Sequence, residues 1–269
     1  MTDSELVKLL LAGGKYVGLC NDALLRTARW SLARTNTPKM AFKTAKRKLH
    51  QITGAYLSRR SLKRIERDLS SVRGGDASAR QFCRRVLARH ASNRERLPVM
   101  AELYQGLFSG TGSPATILDL ACGLNPFSLP WMQLAADVAY TPLDMDSALV
   151  SVINLFMRKI GRGAPAICAD ILSSIPRERF DLVMILKALP CFEQQEKGVS
   201  ERLLQELDAS RILISFPAQS LGGHAKGMRA HYQGFVDNLV AGKKWRVEKL
   251  DFRSEFFFLI NKQEESRHG

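Results

Sequence analysis

The sequence lacks several features that would place a protein quickly in a class. Its five cysteines are odd in number, widely separated and never spaced as C-x-x-C, which argues against a disulfide framework and a zinc site. No run approaches the roughly 18 consecutive apolar residues of a membrane helix, and the N-terminus does not resemble a signal peptide. We expect a soluble, cytoplasmic protein without a metal and without a membrane partner, its cysteines being buried reduced thiols.

Acidic residues are scarce in the first part of the chain. The 269 residues include 40 Lys+Arg and 26 Asp+Glu, a formal net charge of +14. Before residue 113 the counts are 22 and 8, and beyond it they are 18 and 18, so the first part carries +14 and the second part 0. This asymmetry predicts two domains, a basic domain over residues 1–112 and a neutral domain over residues 113–269.

The basic part has apolar residues at helical spacing with cations on the other faces. Asn21 is expected to cap a helix ending near Arg34, and Thr37-Pro38 to begin one ending near Ile52. Any one such face is typical of a solvated helix, but three in succession indicate a phosphate-bearing ligand, and sparse aromatics argue against a stacking platform. The cations expected to contact RNA are Lys43, Lys46, Arg47, Arg60, Lys63 and Arg64. Others on these faces are Lys39, Arg59, Arg67, Arg80, Arg84, Arg85 and Arg89.

From residue 113 short apolar runs alternate with helical stretches, which predicts an α/β fold with a parallel, doubly wound sheet. The predicted strands are Thr116–Ala121, Val138–Leu143, Ala164–Ala169, Asp181–Leu186 and Arg211–Phe216. The chain then has two adjacent strand-like runs, WRVEKLDF and EFFFLINK. A seven-stranded Rossmann-like sheet closed by an antiparallel hairpin resembles class I S-adenosylmethionine-dependent methyltransferases more than dinucleotide-binding dehydrogenases.

The first predicted strand leads into Asp119–Pro126, D-L-A-C-G-L-N-P, where a strict G-x-G-x-x-G is absent. That absence weakens a pyrophosphate-binding interpretation, because a pyrophosphate needs a tight glycine turn at a helix N-terminus. S-adenosylmethionine has no phosphate, so an acid at the strand end and one small residue, Gly123, suffice, with Ala121 and Cys122 keeping the turn slim. An ordinary strand-to-helix turn is the alternative for Gly123.

Acids follow the next two predicted strands. Asp144 stands where a carboxylate would bind ribose hydroxyls, and spacing alone leaves Asp146 as an alternative. Asp170 ends the third strand and is expected either to meet an adenine amino group or to cap a helix.

Several motifs together resemble one family, the aminoglycoside-resistance 16S rRNA methyltransferases that modify N7 of guanine 1405. They are Asp119–Pro126, L-K-x-L-P-C at Leu186–Cys191, S-F-P-x-x-S-L-G-G-x-x-K-G-M at Ser215–Met228, K-L-H-Q-x-x-G-A-Y at Lys48–Tyr56 and H-x-S-x-x-E-R at His90–Arg96. The resemblance spans nearly the whole chain. It implies a helical N-terminal domain that docks on the 30S ribosomal subunit and a C-terminal domain that binds S-adenosyl-L-methionine.

The resemblance also implies residue roles. Arg96 would pair with the methionine carboxylate, Gly123 would line the cofactor, Asp144 would hold the ribose and Asp170 the adenine. The full set of expected cofactor-binding residues is Tyr56, Arg96, Ala121, Gly123, Asp144, Asp170, Ile171 and Leu186. The expected substrate-binding residues of the C-terminal part are Lys187, Gln219, His224, Lys226 and Met228.

The substrate-side segment Ser215–Met228 departs from the family pattern. Gln219 and His224 stand where the family has a basic residue and Arg, and Ala218 stands where Thr is common. Fewer cations beside an RNA target remove charge-assisted contacts, for which Lys226 and Arg229 can compensate. These differences from the family pattern bear on which RNA nucleotide the protein would select.

The chemistry of this target needs no general base, because guanine N7 carries a lone pair and no proton. The protein must mainly hold nucleophile, methyl carbon and sulfur in line. Phe127, Trp131, Phe192 and Phe216 are candidates to line a base pocket, although core packing is the simpler role for each, and Lys187 is a candidate contact for guanine O6 or a phosphate.

We therefore predict a monomeric rRNA (guanine-N7) methyltransferase that confers aminoglycoside resistance. A methyltransferase of another rRNA or tRNA site, and a non-catalytic ribosome-binding relative, are the alternatives.

Overall fold

The computed structural model describes residues 1–53, 57–70, 72, 76–109, 113–163, 165–218 and 227–262. Helices fill the first part of the chain. They are α1 (Asp3–Ala12), α2 (Asn21–Leu32), α3 (Pro38–Thr53), α4 (Arg59–Leu69), α5 (Asp76–Leu87), α6 (Ala91–Arg96) and α7 (Met100–Ser109), with a 3-10 turn at Leu97–Val99. Among the described residues no helix is long and apolar enough to cross a lipid bilayer.

The start of α3 agrees with the sequence prediction and the start of α2 differs from it. The Thr37 hydroxyl accepts a hydrogen bond from the Met40 N–H at 3.3 Å, as expected of a cap before Pro38. In contrast, α2 begins at Asn21 itself, so the predicted Asn21 cap is wrong, and Cys20 is the cap residue. The Cys20 N–H donates to the Met145 carbonyl at 2.8 Å, and this contact with the second part of the chain places the helix start.

The second part of the chain forms a mixed sheet with helices on both faces. Its elements are β1 (Thr116–Leu120), α8 (Leu129–Met132), β2 (Ala139–Asp144), α9 (Ser147–Lys159), β3 (Ile167–Cys168), β4 (Phe180–Leu186), α10 (Leu189–Gln195), α11 (Val199–Glu206), β5 (Ala209–Pro217), α12 (Met228–Val240), β6 (Trp245–Asp251) and β7 (Glu255–Lys262), with a 3-10 turn at Asn125–Ser128. The seven strands are ordered β3-β2-β1-β4-β5-β7-β6. Only β7 pairs antiparallel with its two neighbours, β5 and β6, within this sheet. The predicted parallel sheet closed by an antiparallel hairpin is confirmed.

The third strand is shorter than predicted. Instead of Ala164–Ala169, only Ile167 and Cys168 pair with β2, and Ala164 lies outside the described residues. The Asn154 side chain accepts from the Ala166 N–H at 2.7 Å and donates to its carbonyl at 3.4 Å. Both backbone groups of Ala166 are therefore directed to α9 and not to the strand ladder.

Alternating side chains of the central strands build a hydrophobic cluster on each face of the sheet. In β4, Leu182 and Met184 belong to the cluster that contains residues of α4, α5 and α7, whereas Val183 and Ile185 belong to the cluster under α10 and α11. Residues of α1, α2 and α3 form a third cluster. The division after residue 112 stays a prediction, and the clusters group three of the earlier helices with the sheet.

The first helices are attached to the ends of the strands by backbone hydrogen bonds. Besides the bond from Cys20, the Ser147 N–H donates to the Gly18 carbonyl at 2.7 Å. These bonds hold the segment before α2 against the loop that follows β2. Because the carboxyl ends of parallel strands form the usual ligand crevice of an open α/β sheet, the helices adjoin that crevice.

Candidate functional site

The loop after β1 has an unusual backbone conformation. Ala121 has φ of +49° and Gly123 has φ of +51°, and for a residue with a side chain this region costs roughly 1–2 kcal/mol. The Cys122 N–H donates to the Leu143 carbonyl at 3.0 Å, which ties the loop to the end of β2. A Cβ added at Gly123 would have no atom of the described residues within 4 Å, apart from its chain neighbours. The loop therefore faces open space that a ligand can occupy.

Asp144 ends β2 and faces this loop. Its carboxylate accepts from the Gly123 N–H at 3.0 Å and from the Asp146 N–H at 3.0 Å, one bond on each oxygen. Since each carboxylate oxygen can accept two bonds, these hydrogen bonds leave acceptor capacity on Asp144 for a ligand. Burial raises the pKa of Asp144 to about 6.

The alternative residue, Asp146, has a structural task. Its side chain accepts from the Ala148 and Leu149 N–H groups, at 2.9 and 3.4 Å, and so caps α9. The geometry therefore favours Asp144 over Asp146 as the ligand-facing acid after β2.

Asp170 follows β3 and is buried. Its Oδ2 accepts from Arg26 Nε at 2.6 Å and from the Ser173 hydroxyl at 2.9 Å, and its Oδ1 accepts from the Leu172 N–H at 3.1 Å. The residues after it form a turn, so the alternative role as a helix cap is not found. The buried Ile171 packs in the same hydrophobic cluster as the end of β2. The predicted contact of Asp170 with an adenine amino group stays a prediction.

Asp119 lies one residue before the end of β1 and is completely buried. Its Oδ2 accepts from Asn125 Nδ2 at 2.9 Å and from the Tyr140 hydroxyl. Its Oδ1 has no hydrogen-bond partner among the described residues. Burial raises the pKa of Asp119 to about 7, and a ligand donor at Oδ1 would relieve an unpaired acceptor that costs roughly 1–3 kcal/mol.

Arg96, the predicted carboxylate partner, is 1% exposed and lies in an ion pair. Its Nε and Nη2 donate to the two oxygens of Glu255 at 3.0 and 2.6 Å, and its Nη1 donates to Asn125 Oδ1 at 2.9 Å. Burial alone would lower the pKa of Arg96, but the Glu255 carboxylate raises it above its ordinary value. The guanidinium has five N–H donors, so two stay free of these bonds for an anionic ligand.

Lys187 follows β4 with a φ of +57°. Its ammonium group contacts the Ser92 carbonyl at 3.2 Å, Glu95 at 3.1 Å and Glu255 at 3.3 Å. The half-buried Leu186 precedes it. The structure thus directs the Lys187 amine into the protein, and its predicted contact with guanine stays a prediction.

Glu255 is absent from the residues that the sequence singles out. It is completely buried at the start of β7 and joins Arg96, Lys187 and the Ser215 hydroxyl, the last at 2.6 Å. The signal that could identify it is an acid in front of the apolar run F-F-F-L-I, where a charge needs a partner. Its partners come from distant parts of the chain, which the sequence pattern does not pair.

The expected RNA-facing cations of α3 and α4 are exposed. These are Lys43, Lys46 and Arg47 of α3 and Arg60, Lys63 and Arg64 of α4. Arg64 lies 4.0 Å from Asp68, and Lys46 lies over the Phe42 ring. In the described part of the chain no acidic partner lies within 4.0 Å of Lys43, Arg47, Arg60 or Lys63.

Three other arginines of the basic part, in α4, in α5 and in the turn after α5, contact the protein, contrary to the expected outward direction. Arg59 lies against Gly18, where a Cβ would be 1.2 Å from its Nη2, and 3.7 Å from Asp146. Arg80 donates to the Pro130 carbonyl at 2.9 Å, and Arg89 pairs with Asp68 at 2.8 Å. Their contacts explain part of the high arginine content without RNA.

Four predicted site residues, Tyr56, Gln219, His224 and Lys226, lie outside the described residues. Met228 begins α12 and is half-buried, and the next residue, Arg229, pairs with Asp251. The candidate pocket aromatics Phe127, Trp131, Phe192 and Phe216 are all buried in the hydrophobic clusters, so core packing explains each of them. Phe216, for example, stacks on Tyr232 with ring centroids 4.5 Å apart.

Comparison with known proteins agrees with this geometry. Residues 13–260 match the family described as ribosomal RNA methyltransferase (FmrO). A 16S rRNA (guanine(1405)-N(7))-methyltransferase of Micromonospora echinospora is 34% identical over 254 residues, 92% of each chain. The structure of the 16S rRNA methylase RmtB has a TM-score of 0.82 and 31% identity and covers 98% of this chain and 99% of its own. The 16S rRNA methyltransferase RmtF in complex with S-adenosyl-L-homocysteine has a TM-score of 0.81 and 31% identity and covers 97% and 98%.

The sheet order, the terminal hairpin and the acids at the strand ends define a class I methyltransferase. The chain belongs to the ribosomal RNA methyltransferase (FmrO) family. The predictions of fold class, enzyme class and family are confirmed.

Proposed function

We propose that this chain transfers a methyl group from S-adenosyl-L-methionine to N7 of guanine 1405 in 16S rRNA. The observation that carries the proposal is the similarity to relatives named for this reaction over more than nine-tenths of both chains. The assembled 30S subunit as substrate, a monomeric enzyme and a cytoplasmic location complete the proposal.

The residues at the strand ends fit the cofactor. Asp144 keeps acceptor capacity for ribose hydroxyls, and Gly123 leaves open space beside it. Arg96 has two free N–H donors for the methionine carboxylate, and Asp170 has one lone pair on Oδ1 for the adenine amino group. Ala121, Ile171 and Leu186 complete the proposed cofactor-binding set as apolar neighbours, together with Tyr56.

The residues of this chain act by positioning. When bound, the cofactor supplies a methyl group already activated by its sulfonium. Guanine N7 has no proton to remove, so the buried acids serve as hydrogen-bond acceptors and not as bases. Holding two reactants in line contributes roughly 7–11 kcal/mol to lowering the barrier in favourable cases, and the left-handed Ala121 and Gly123 keep the cofactor loop in one conformation.

Aminoglycoside resistance follows from the proposed target. A methyl group and its positive charge on guanine 1405 would repel and obstruct a cationic drug at the decoding site. We expect gentamicin- and kanamycin-type drugs to inhibit a susceptible host less when the gene is expressed. Unchanged inhibitory concentrations with confirmed expression would contradict this part of the proposal.

A second candidate function is methylation at another RNA site. The observation that favours it is the replacement of two expected cations by Gln219 and His224 in the substrate-side segment. Lys187, Lys226, Met228 and Arg229 would then contribute to a different nucleotide preference.

Methyl transfer to purified 30S subunits tests the proposal directly. Radiolabelled S-adenosylmethionine should label intact 30S subunits, and primer extension after chemical cleavage at N7-methylguanine should stop at position 1405. Naked 16S rRNA and tRNA serve as parallel substrates, and an Asp144→Ala variant serves as the negative control. A stop at another guanine would support the second candidate, and no transfer to any substrate would contradict both.

A further inference from the structure

Three sets of contacts join α2, α3 and the segment before α2 to the parts of the chain that follow β2, β3 and β4. The segment before α2 bonds to the loop after β2 through the backbone, as described above. Arg26 of α2 pairs with Asp170 after β3. Lys48 of α3 donates to the Gln194 and Gln195 carbonyls at the end of α10, at 3.1 and 3.3 Å. Burial lowers the pKa of Lys48.

Arg26 has a geometry that fixes the orientation of Asp170. Its Nε donates to Asp170 Oδ2 at 2.6 Å, and its Nη2 donates to Gln195 Oε1 at 3.0 Å. The two side chains are 19% and 0% exposed, so the pair is largely shielded from water. Donors to Asp170 also come from Ser173 and Leu172. The guanidinium is thus held at two points and the carboxylate at three.

The hydrogen bonds leave one specific acceptor position. Asp170 Oδ2 accepts two bonds and Oδ1 accepts one, so a carboxylate with four lone-pair sites has one left, on Oδ1. Arg26 occupies Oδ2, which leaves Oδ1 as the oxygen for a ligand donor. The side chain that sets this orientation, Arg26, belongs to the N-terminal helices and is 144 residues away from Asp170 in sequence.

We propose that Arg26 is a positioning residue for the cofactor, orienting Asp170 so that its Oδ1 accepts a hydrogen bond from the adenine amino group. The proposal rests on the proposed function, because it assigns Asp170 to the adenine. In this arrangement the N-terminal helices contribute to adenine recognition as well as to the basic surface. Without Arg26, Asp170 is a buried carboxylate without its counter-ion, and its orientation depends only on the weaker neutral donors of Ser173 and Leu172.

Calorimetry with the cofactor product and an analogue altered in its base provides the test. S-adenosyl-L-homocysteine carries the amino group, whereas S-inosyl-L-homocysteine has a carbonyl oxygen in its place and its only N–H on that ring at N1, so it offers no donor at the position of the amino group. We expect wild-type protein to bind the adenosyl compound at least about tenfold more tightly, because only this compound donates a hydrogen bond from that position to the charged carboxylate. Arg26→Met should lower this ratio to about threefold or less, mainly by weakening the adenosyl compound. Arg26→Lys, which keeps a cation, should restore most of the ratio.

The ratio separates positioning from folding. Both affinities are measured on the same sample, so a loss of folded protein changes both Kd values by the same factor and leaves their ratio unchanged. An equal loss of affinity for both compounds would therefore overturn the proposal. Arg29→Met is the matched control, since Arg29 lies on the same helix, is 68% exposed and pairs only at the surface with Asp3. An unchanged ratio in Arg26→Met would also overturn it. Failure of wild-type protein to bind either compound would instead contradict the proposed function.

Discussion

Two acids separated by one residue have different partners at the end of β2. Asp144 accepts one backbone N–H on each oxygen and keeps acceptor capacity toward the open space at Gly123. Asp146 uses its side chain to cap α9. The residue types and spacing are the same for either assignment, and only the hydrogen bonds distinguish them.

We predict that Asp144→Ala abolishes measurable binding of S-adenosyl-L-homocysteine, because it removes the proposed ribose acceptor. Asp146→Ala should leave the affinity within about threefold and lower the free energy of unfolding by roughly 0.5–2 kcal/mol, the usual effect of losing a helix cap. Calorimetry and urea unfolding measure the two effects. The opposite outcome, with the binding loss in Asp146→Ala, would reverse the assignment.

The buried carboxyl group of Asp119 is expected to make the stability of the protein depend on pH. Burial raises the pKa of Asp119 to about 7, above the unfolded value of 3.8. The folded protein then retains this proton to a higher pH than the unfolded chain, so the contribution of Asp119 to stability is lost as pH rises from about 4 to about 7. Asp119→Asn should remove this dependence. The free energy of unfolding of the variant minus that of wild type should therefore be higher at pH 8 than at pH 5, by about 1 kcal/mol or more.

Urea unfolding without ligand at the two pH values measures this difference. Asp181→Asn is the control, because hydrogen bonds from the Thr116 and Ala115 backbones outweigh burial and hold the pKa of Asp181 below its ordinary value. Its difference from wild type should therefore be the same at pH 5 and pH 8. An equal shift for Asp119→Asn at both pH values would show that the Asp119 carboxyl titrates normally.

At the scale of elements, Glu255 joins β7 to α6 and to the end of β4. Its carboxylate lies between Arg96 and Lys187 and also accepts from the Ser215 hydroxyl. The antiparallel return of β7 beside β5 is what brings this acid to the edge where β1 and β4 end. The hairpin thus closes the sheet and completes the polar network around the predicted carboxylate site.

We predict that Glu255→Gln lowers the free energy of unfolding by about 3–5 kcal/mol, because it leaves the buried Arg96 without its counter-charge and removes one of the two acids beside Lys187. Urea unfolding measures the loss. Glu248→Gln is the matched control, since Glu248 lies on the neighbouring β6, is 45% exposed and should change stability by less than about 1 kcal/mol. A loss in Glu255→Gln no larger than in the control would mean that solvent replaces the carboxylate.

The elements also mark what a sequence can predict. Apolar runs identify the strands, and the acid at the end of β2 and the glycine after β1 follow from the strand ends. The structure places Asp144 and Gly123 next to each other at these ends, and their contacts with a cofactor stay predictions. The short β3 is not predictable, because Asn154 on a helix diverts Ala166. The Arg26–Asp170 and Arg96–Glu255 pairs join residues 144 and 159 positions apart, and no local pattern specifies such partners.

At the scale of the whole molecule, the net charge of +14 divides into two kinds of cation. Some arginines of the first part, such as Arg26, Arg59, Arg80 and Arg96, contact the protein itself. Among the described residues, the exposed Lys43, Arg47, Arg60 and Lys63 of α3 and α4 have no acidic partner within 4.0 Å. The excess charge therefore stabilises internal contacts in part, and the remainder can bind phosphates.

This division predicts how salt affects binding to 30S subunits. A variant with Lys43, Lys46 and Arg47 changed to Ala, and a second with Arg60, Lys63 and Arg64 changed to Ala, should each bind more weakly. The slope of log K against log salt should fall by about 0.7–0.9 for each phosphate that the variant no longer neutralises. Affinity for S-adenosyl-L-homocysteine should stay within about twofold of wild type, because these side chains lie on exposed helix faces.

Filter binding over a range of salt concentrations measures the slope. The control changes Arg158 and Lys159 to Ala, two exposed cations in the last turn of α9 in the neutral part of the chain. If net charge alone explained the binding to 30S subunits, the control would lose as much affinity for each charge removed as the α3 and α4 variants. Direct phosphate binding by α3 and α4 requires the slope to change in those variants and to stay the same in the control. Equal slopes in all four proteins would exclude both helices from the RNA interface.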